Sequence, residues 1–154
     1  MFHMPFRSPT IRITKEFHFE MAHALSDHEG PCKHIHGHSY VLQVTVSGKP
    51  NTEQGNPANG MVIDFASLKS LVHENIIAHF DHTLVLNESD KKRFPDLRNE
   101  EKVIYLPFAP TCEMLLIHFT EIIAKHLPAN VNLQTTRLIE TATSYAEWHA
   151  EENL

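Results

Sequence analysis

IHGHSYVLQVTVSG, residues 35–48, sets the architecture. Tyr40, Leu42, Val44 and Val46 fall on alternate positions with more polar partners between them, the pattern of a half-buried strand. Carried backwards, the alternation puts His36 and His38 on the same core-facing side, and Gly37 leaves the opposite face bare between them. The preceding segment LSDHEGPCKH (25–34), marked by Gly30-Pro31, reads as a loop. Before it, Ile11, Ile13, Phe17, Phe19 and Met21 keep a nearly regular period of two, which predicts a strand over 11–24 with His23 on the apolar parity. If these strands pair antiparallel, three imidazoles meet at one end of the sheet, on its buried side.

Beyond residue 48 the Gly/Asn/Pro-rich run NTEQGNPANG is a turn region. Asp64 can cap a helix over about 65–80, with Phe65, Leu68, Val72 and Ile76 on one face. The stretch 87–110 is long and charged, with a short extended piece at Val103–Leu106, and connections of that length are more often functional than decorative. Thr111 can cap a second helix over 112–126, striped by Leu115, Leu116, Phe119, Ile122 and Ile123. Two strands, 131–140 and 144–150, close the chain. The expected fold is therefore α+β: a single domain over 1–154, a four-stranded antiparallel sheet with two helices on one face, order ββααββ.

Composition narrows the function. A chain of 154 residues with 42% hydrophobic and 21% charged residues is an ordinary globular domain. Its formal net charge of -6, without a Lys/Arg run suggesting a basic patch, argues against nonspecific nucleic-acid binding. No apolar run approaches the roughly 20 residues of a membrane helix. The opening MFHMPFRSPTIRIT lacks the long apolar stretch of a secretory signal, so a cytoplasmic protein is expected. A structural disulfide between Cys32 and Cys112 is not expected there, which leaves at least one thiol available for chemistry.

Thirteen histidines are the compositional oddity, and a cluster of them falls between His18 and His38. Three neutral imidazoles, His23, His36 and His38, suit one zinc ion with a fourth position open. Cys32, four residues before His36, has two readings: a thiolate that acts as base or nucleophile, or a fourth ligand closing a structural site. Asp81-His82 stands at the predicted helix end, either as a carboxylate-oriented proton carrier or as a helix-terminal histidine. Glu140, alone in the uncharged run LIETATSY, is either edge-exposed or holds something, and a carboxylate suits an N–H/NH2 edge such as that of a pterin. Glu113, in the first turn of the second helix, answers the helix dipole. Lys91, Lys92, Arg93 and Arg98 read as a solvated basic run or as phosphate contacts.

The blocks FHFEMAHAL, CKHIHGHSY, GMVIDF, FDHTLVLN, PTCE and IETATSY, in this order across about 15–146, resemble the 6-pyruvoyltetrahydropterin synthase superfamily. The resemblance implies the tunnelling (T-fold) domain and a homohexamer, a dimer of trimers, with active sites at subunit interfaces. It implies zinc on His23, His36 and His38, Cys32 as the catalytic thiol, and Asp81 with His82 as proton-transferring partners. Glu140 would anchor the pterin ring, assisted by Thr111 and Glu113. Three residues separate Cys32 from His36, the short gap of the bacterial 6-carboxytetrahydropterin synthases of queuosine biosynthesis, whereas the pyruvoyl-forming animal enzymes typically have a longer one. The implied substrate is a pterin triphosphate, 7,8-dihydroneopterin triphosphate. The chain departs from the pattern at Ala109-Pro110-Thr111, where Asn-Pro-Thr is usual, at Cys112, where Ser or Thr is common, and in the length of the loop before them.

Overall fold

A computed structural model describes residues 9–99 and 102–153, without the side chains of 98 and 99, so the expectation for the Arg98 side chain and the N-terminal eight residues lie outside it. The alternating segments form β1 (Ile11–His23) and β2 (His36–Gly48), paired antiparallel along their whole length with His23 opposite His36 and Met21 opposite His38. β5 (Asn132–Thr141) pairs antiparallel with β2, and β6 (Ser144–His149) with β5. These are the four expected strands. Phe17, Phe19, Met21, Tyr40, Leu42, Val44 and Val46 face one buried side, as period two requires, and Leu138 and Leu133 join them across a register shift in the β2–β5 ladder between Thr45 and Val46.

The sheet is nevertheless six-stranded and mixed, which corrects the four-stranded antiparallel expectation. β3 (Thr83–Asn87) lies parallel to β1 over Met21–His23, and β4 (Val103–Leu106) lies parallel to β3, giving the order β4-β3-β1-β2-β5-β6. TLVLN is too short to show periodicity, and its pairing is parallel after a helical crossover, which no local signal announces. The element order is therefore ββααββαββ with a last short helix, not ββααββ.

The first predicted helix is α1 (Phe65–Val72), a π-helical stretch at His73–Ile77 and α2 (Ala78–Phe80), in succession. The Asp64 side chain accepts from Ala66 N–H at 2.8 Å, the expected cap. Leu68, Val72 and Ile76 are buried, but Phe65 is 51% exposed, with the Lys15 ammonium 5.9 Å from its ring. α3 (Cys112–His126) follows Thr111, whose hydroxyl accepts from Met114 N–H at 3.2 Å, and buries Leu115, Leu116, Phe119 and Ile123. α4 (Ala150–Asn153) ends the described chain. Each fully buried Leu, Ile or Val side chain contributes about 1.5–3 kcal/mol, so this one continuous core, packed between helices and sheet, carries the stability. No helix among the described residues is long and apolar enough to cross a membrane.

Candidate metal centre and active site

The paired ends of β1 and β2 place three imidazoles together. Their ligand atoms all lie within 4.8 Å of one another, and His23 is buried while His36 and His38 are partly exposed. Second partners fix two of the rings: His23 Nδ1–H donates to the Pro110 carbonyl at 2.7 Å, and His36 Nδ1–H donates to the His34 carbonyl at 2.8 Å. A carbonyl can only accept, so both Nδ1 atoms carry a proton, and in the neutral rings both Nε2 atoms present lone pairs. Those two Nε2 atoms are 3.1 Å apart. Two lone pairs at that distance repel unless a cation lies between them. The spacing is close to the roughly 3.3 Å edge of a tetrahedron with metal–nitrogen bonds of about 2.0–2.1 Å. The three histidines thus fit one metal ion, with the outward orientation of the second nitrogens that metal-binding histidines normally show. Burial, opposed by the Pro110 hydrogen bond, lowers the His23 pKa and so favours the neutral ring.

Glu140 joins this centre from β5. Its Oε1 lies 3.8 Å from His23 Nε2 and 3.9 Å from His38 Nε2. The β5–β6 ladder shifts register between Ile139 and Thr141, leaving Glu140 at an irregularity in the pairing. The Tyr40 phenol, 1% exposed and stacked on Phe19 at 5.3 Å, donates to Glu140 Oε1 at 3.1 Å. Burial, and then the neighbouring carboxylate, raise the Tyr40 pKa far above its ordinary value, so it stays a donor. Sequence reasoning took Tyr40 as core only. Extending the antiparallel register of Val41 with Ile139 by one residue would have set it opposite Glu140.

The two cysteines separate. Cys112 opens α3, donates Sγ–H to the Leu138 carbonyl at 3.3 Å, and is pushed up to about 11 by burial and then by Glu140, so it remains a thiol. Cys32 sits partly exposed in a 3-10 turn at Pro31–Lys33 and stands outside the group of metal-fitting atoms. That geometry disfavours a closed site with Cys32 as fourth ligand.

Asp81 and His82 sit at the seam of β1 and β3. Asp81 Oδ1 accepts from Glu20 N–H at 2.9 Å and lies 3.0 Å from His82 Nδ1, while His82 N–H donates to the Glu20 carbonyl at 2.6 Å. The Glu20 hydrogen bond, and then His82, hold the Asp81 carboxyl below its usual range, so it stays a carboxylate beside the imidazole. His82 takes a left-handed backbone with φ 57, uncommon for a non-glycine residue. Glu20 precedes His23 by three residues, about 10 Å along a strand. Both His82 and His38 border a cleft of about 600 Å³ that also touches Glu20, Ser39 and Lys102. Among the described residues, Asp81 and His82 make no direct contact with the three metal-fitting histidines. Thr111 and Glu113 flank Cys112 at the start of α3, where Thr111 serves as the cap.

The fold and the open three-imidazole site define a class: α+β proteins that can hold one metal ion at a sheet end with a coordination position to spare. Within it, the chain belongs to the 6-pyruvoyl tetrahydropterin synthase family, whose pattern it matches over residues 12–151. It is similar to the 6-carboxy-5,6,7,8-tetrahydropterin synthase of Haemophilus influenzae, 34% identical over 141 residues that cover 89% of this chain and 97% of the relative. The protein of the same name from Rickettsia typhi is 33% identical over 141 residues, 89% of this chain and 99% of the relative. Among solved structures, the Caenorhabditis elegans 6-pyruvoyl tetrahydropterin synthase superposes with a TM-score of 0.66 at 22% identity, covering 94% of this chain and 99% of that one, a likeness of fold alone.

Proposed function

We propose that this chain is a zinc-dependent lyase, a 6-carboxy-5,6,7,8-tetrahydropterin synthase. It converts 7,8-dihydroneopterin triphosphate and one water to 6-carboxy-5,6,7,8-tetrahydropterin, acetaldehyde and triphosphate, on the route to queuosine, in the cytoplasm. The observation that carries the reading is the pair of bare, facing Nε2 atoms of His23 and His36 with Glu140 beside them, in a chain whose curated relatives bear that name.

His23, His36 and His38 hold the ion. Zinc bound there supplies Lewis acidity toward the side-chain hydroxyls of the substrate. Glu140, held by Tyr40, binds the N–H/NH2 edge of the pterin ring, and Thr111 and Glu113 assist it. Cys32 as a thiolate removes a proton from the substrate side chain. Asp81 orients His82, which carries the proton on and returns it. Anchoring the ring at one end and the side chain at the other is a positioning device.

Assembly as a homohexamer, a dimer of trimers, belongs to the same proposal. What supports it is the sheet's open edges: β3 covers β1 only over Met21–His23, and β6 has no outer partner among the described residues. Unpaired edges of this length invite pairing with another chain. Asp81 and His82 stand at the top of the free edge of β1, where they can serve a neighbour's site.

The test is to incubate zinc-loaded protein with 7,8-dihydroneopterin triphosphate and identify products by mass. Carboxytetrahydropterin with acetaldehyde is expected. A pyruvoyl product would keep the site and replace the activity. No turnover by folded, zinc-loaded protein would overturn the reading.

A further inference from the structure

The turn that carries Cys32 is fixed at three successive carbonyls. Leu25 N–H donates to the Cys32 carbonyl at 2.9 Å, Arg93 Nη2–H donates to the Lys33 carbonyl at 3.0 Å, and His36 Nδ1–H donates to the His34 carbonyl at 2.8 Å. The first and third partners are local, one just past the end of β1 and one a metal-fitting histidine at the start of β2. Arg93 is different, because it reaches across from 60 residues away.

Its own side of the contact is well anchored. Asn87 caps the 3-10 turn Glu88–Lys92 by accepting from Ser89 N–H. The backbone N–H groups of Arg93 and Phe94 both donate to the carbonyl of Asp90, a residue 3% exposed. The guanidinium lies 5.0 Å from the Phe94 ring. The loop after β3 therefore presents a braced donor to the thiol turn. Arg93 is exposed, but its guanidinium is engaged by the Lys33 carbonyl and is not simply solvated.

We propose that Arg93 is a positioning residue for the reaction: it tethers the Cys32 turn to the β3 side of the sheet and so fixes where the thiol stands relative to the three histidines. The proposal rests on the reading of Cys32 as the working thiol. Arg93 is exposed, so its replacement leaves the core untouched.

The experiment compares wild type, Arg93→Ala and Arg93→Lys, all zinc-loaded. It measures the iodoacetamide alkylation rate of the Cys32 peptide by mass spectrometry, and kcat and KM separately. Losing one charge-assisted hydrogen bond on an exposed turn should speed Cys32 alkylation about fivefold and lower kcat by a similar factor, with KM within about twofold. Lysine, which can still donate one bond, should restore part of both. Unchanged alkylation in Arg93→Ala overturns the tether, whatever happens to turnover, and a raised KM alone would then put Arg93 on the triphosphate. Faster alkylation with unaltered turnover supports the tether and removes Cys32 from the chemistry, so the two failures are distinguishable.

Discussion

Two imidazole nitrogens that face each other at 3.1 Å, each ring already donating through its other nitrogen, form an arrangement that a cation shared between them stabilises. The contribution of each residue follows from this. His36→Ala removes one lone pair and frees the His34 carbonyl, so zinc affinity should fall by more than about 100-fold in a chelator competition. Cys32→Ala should bind zinc stoichiometrically and lose turnover; if the metal leaves with the thiol, Cys32 is a ligand and the proposed scheme is wrong. The triad was legible in the sequence because strand parity is a strict rule: one imidazole in β1 and two in β2 fall on the apolar side with no choice of rotamer needed. Tyr40 and Arg93 were not legible as site residues. Tyr40 acts through a strand 100 residues away, and Arg93 through a carbonyl 60 residues away, so neither contact leaves a local pattern.

At the scale of the element, α3 joins the site to the core. Thr111 caps it and Cys112 and Glu113 start it, while Phe119 and Ile123 bury its far side. Thr111→Ala should cost about 1 kcal/mol and lower Tm by roughly 2–4 °C, a loss readable by calorimetry apart from any change in KM. His118, on the same helix, packs among Phe80, Phe108 and Phe119, with Glu121 the nearby charge. Burial lowers its pKa from 6.5, with Glu121 opposing, so the folded state favours the neutral ring. The stabilising contribution is therefore complete above pH 6.5 and is lost as pH falls through the folded value. Urea midpoints should drop between pH 7.5 and pH 5 in wild type, and less in His118→Gln; equal drops would contradict this. The helix α3 was predicted to the residue because Thr111 and Pro128 bracket a clean apolar stripe. β3 was not, because five residues preceded by Asp81-His82 look like the end of a helix when the parallel partner is unseen.

The whole molecule keeps its catalytic candidates in three places, the three-histidine sheet end, the Cys32 turn and the Asp81–His82 seam between β1 and β3. Chelating the metal should silence turnover and leave the circular dichroism spectrum folded, since the continuous apolar core includes none of the metal-fitting residues. The open edge of β1 also has a genetic consequence. If chains join there and lend His82 to one another, an inactive allele does not remain a private matter of its own product. Chains carrying Cys32→Ala and chains carrying His82→Ala, each silent alone, should regain activity when refolded together. Random mixing would leave about a quarter of sites with a sound thiol from one parent and a sound histidine from the other. A mixture as dead as its parents would mean that each protomer works with its own dyad, and that loss-of-function alleles of this gene cannot rescue one another.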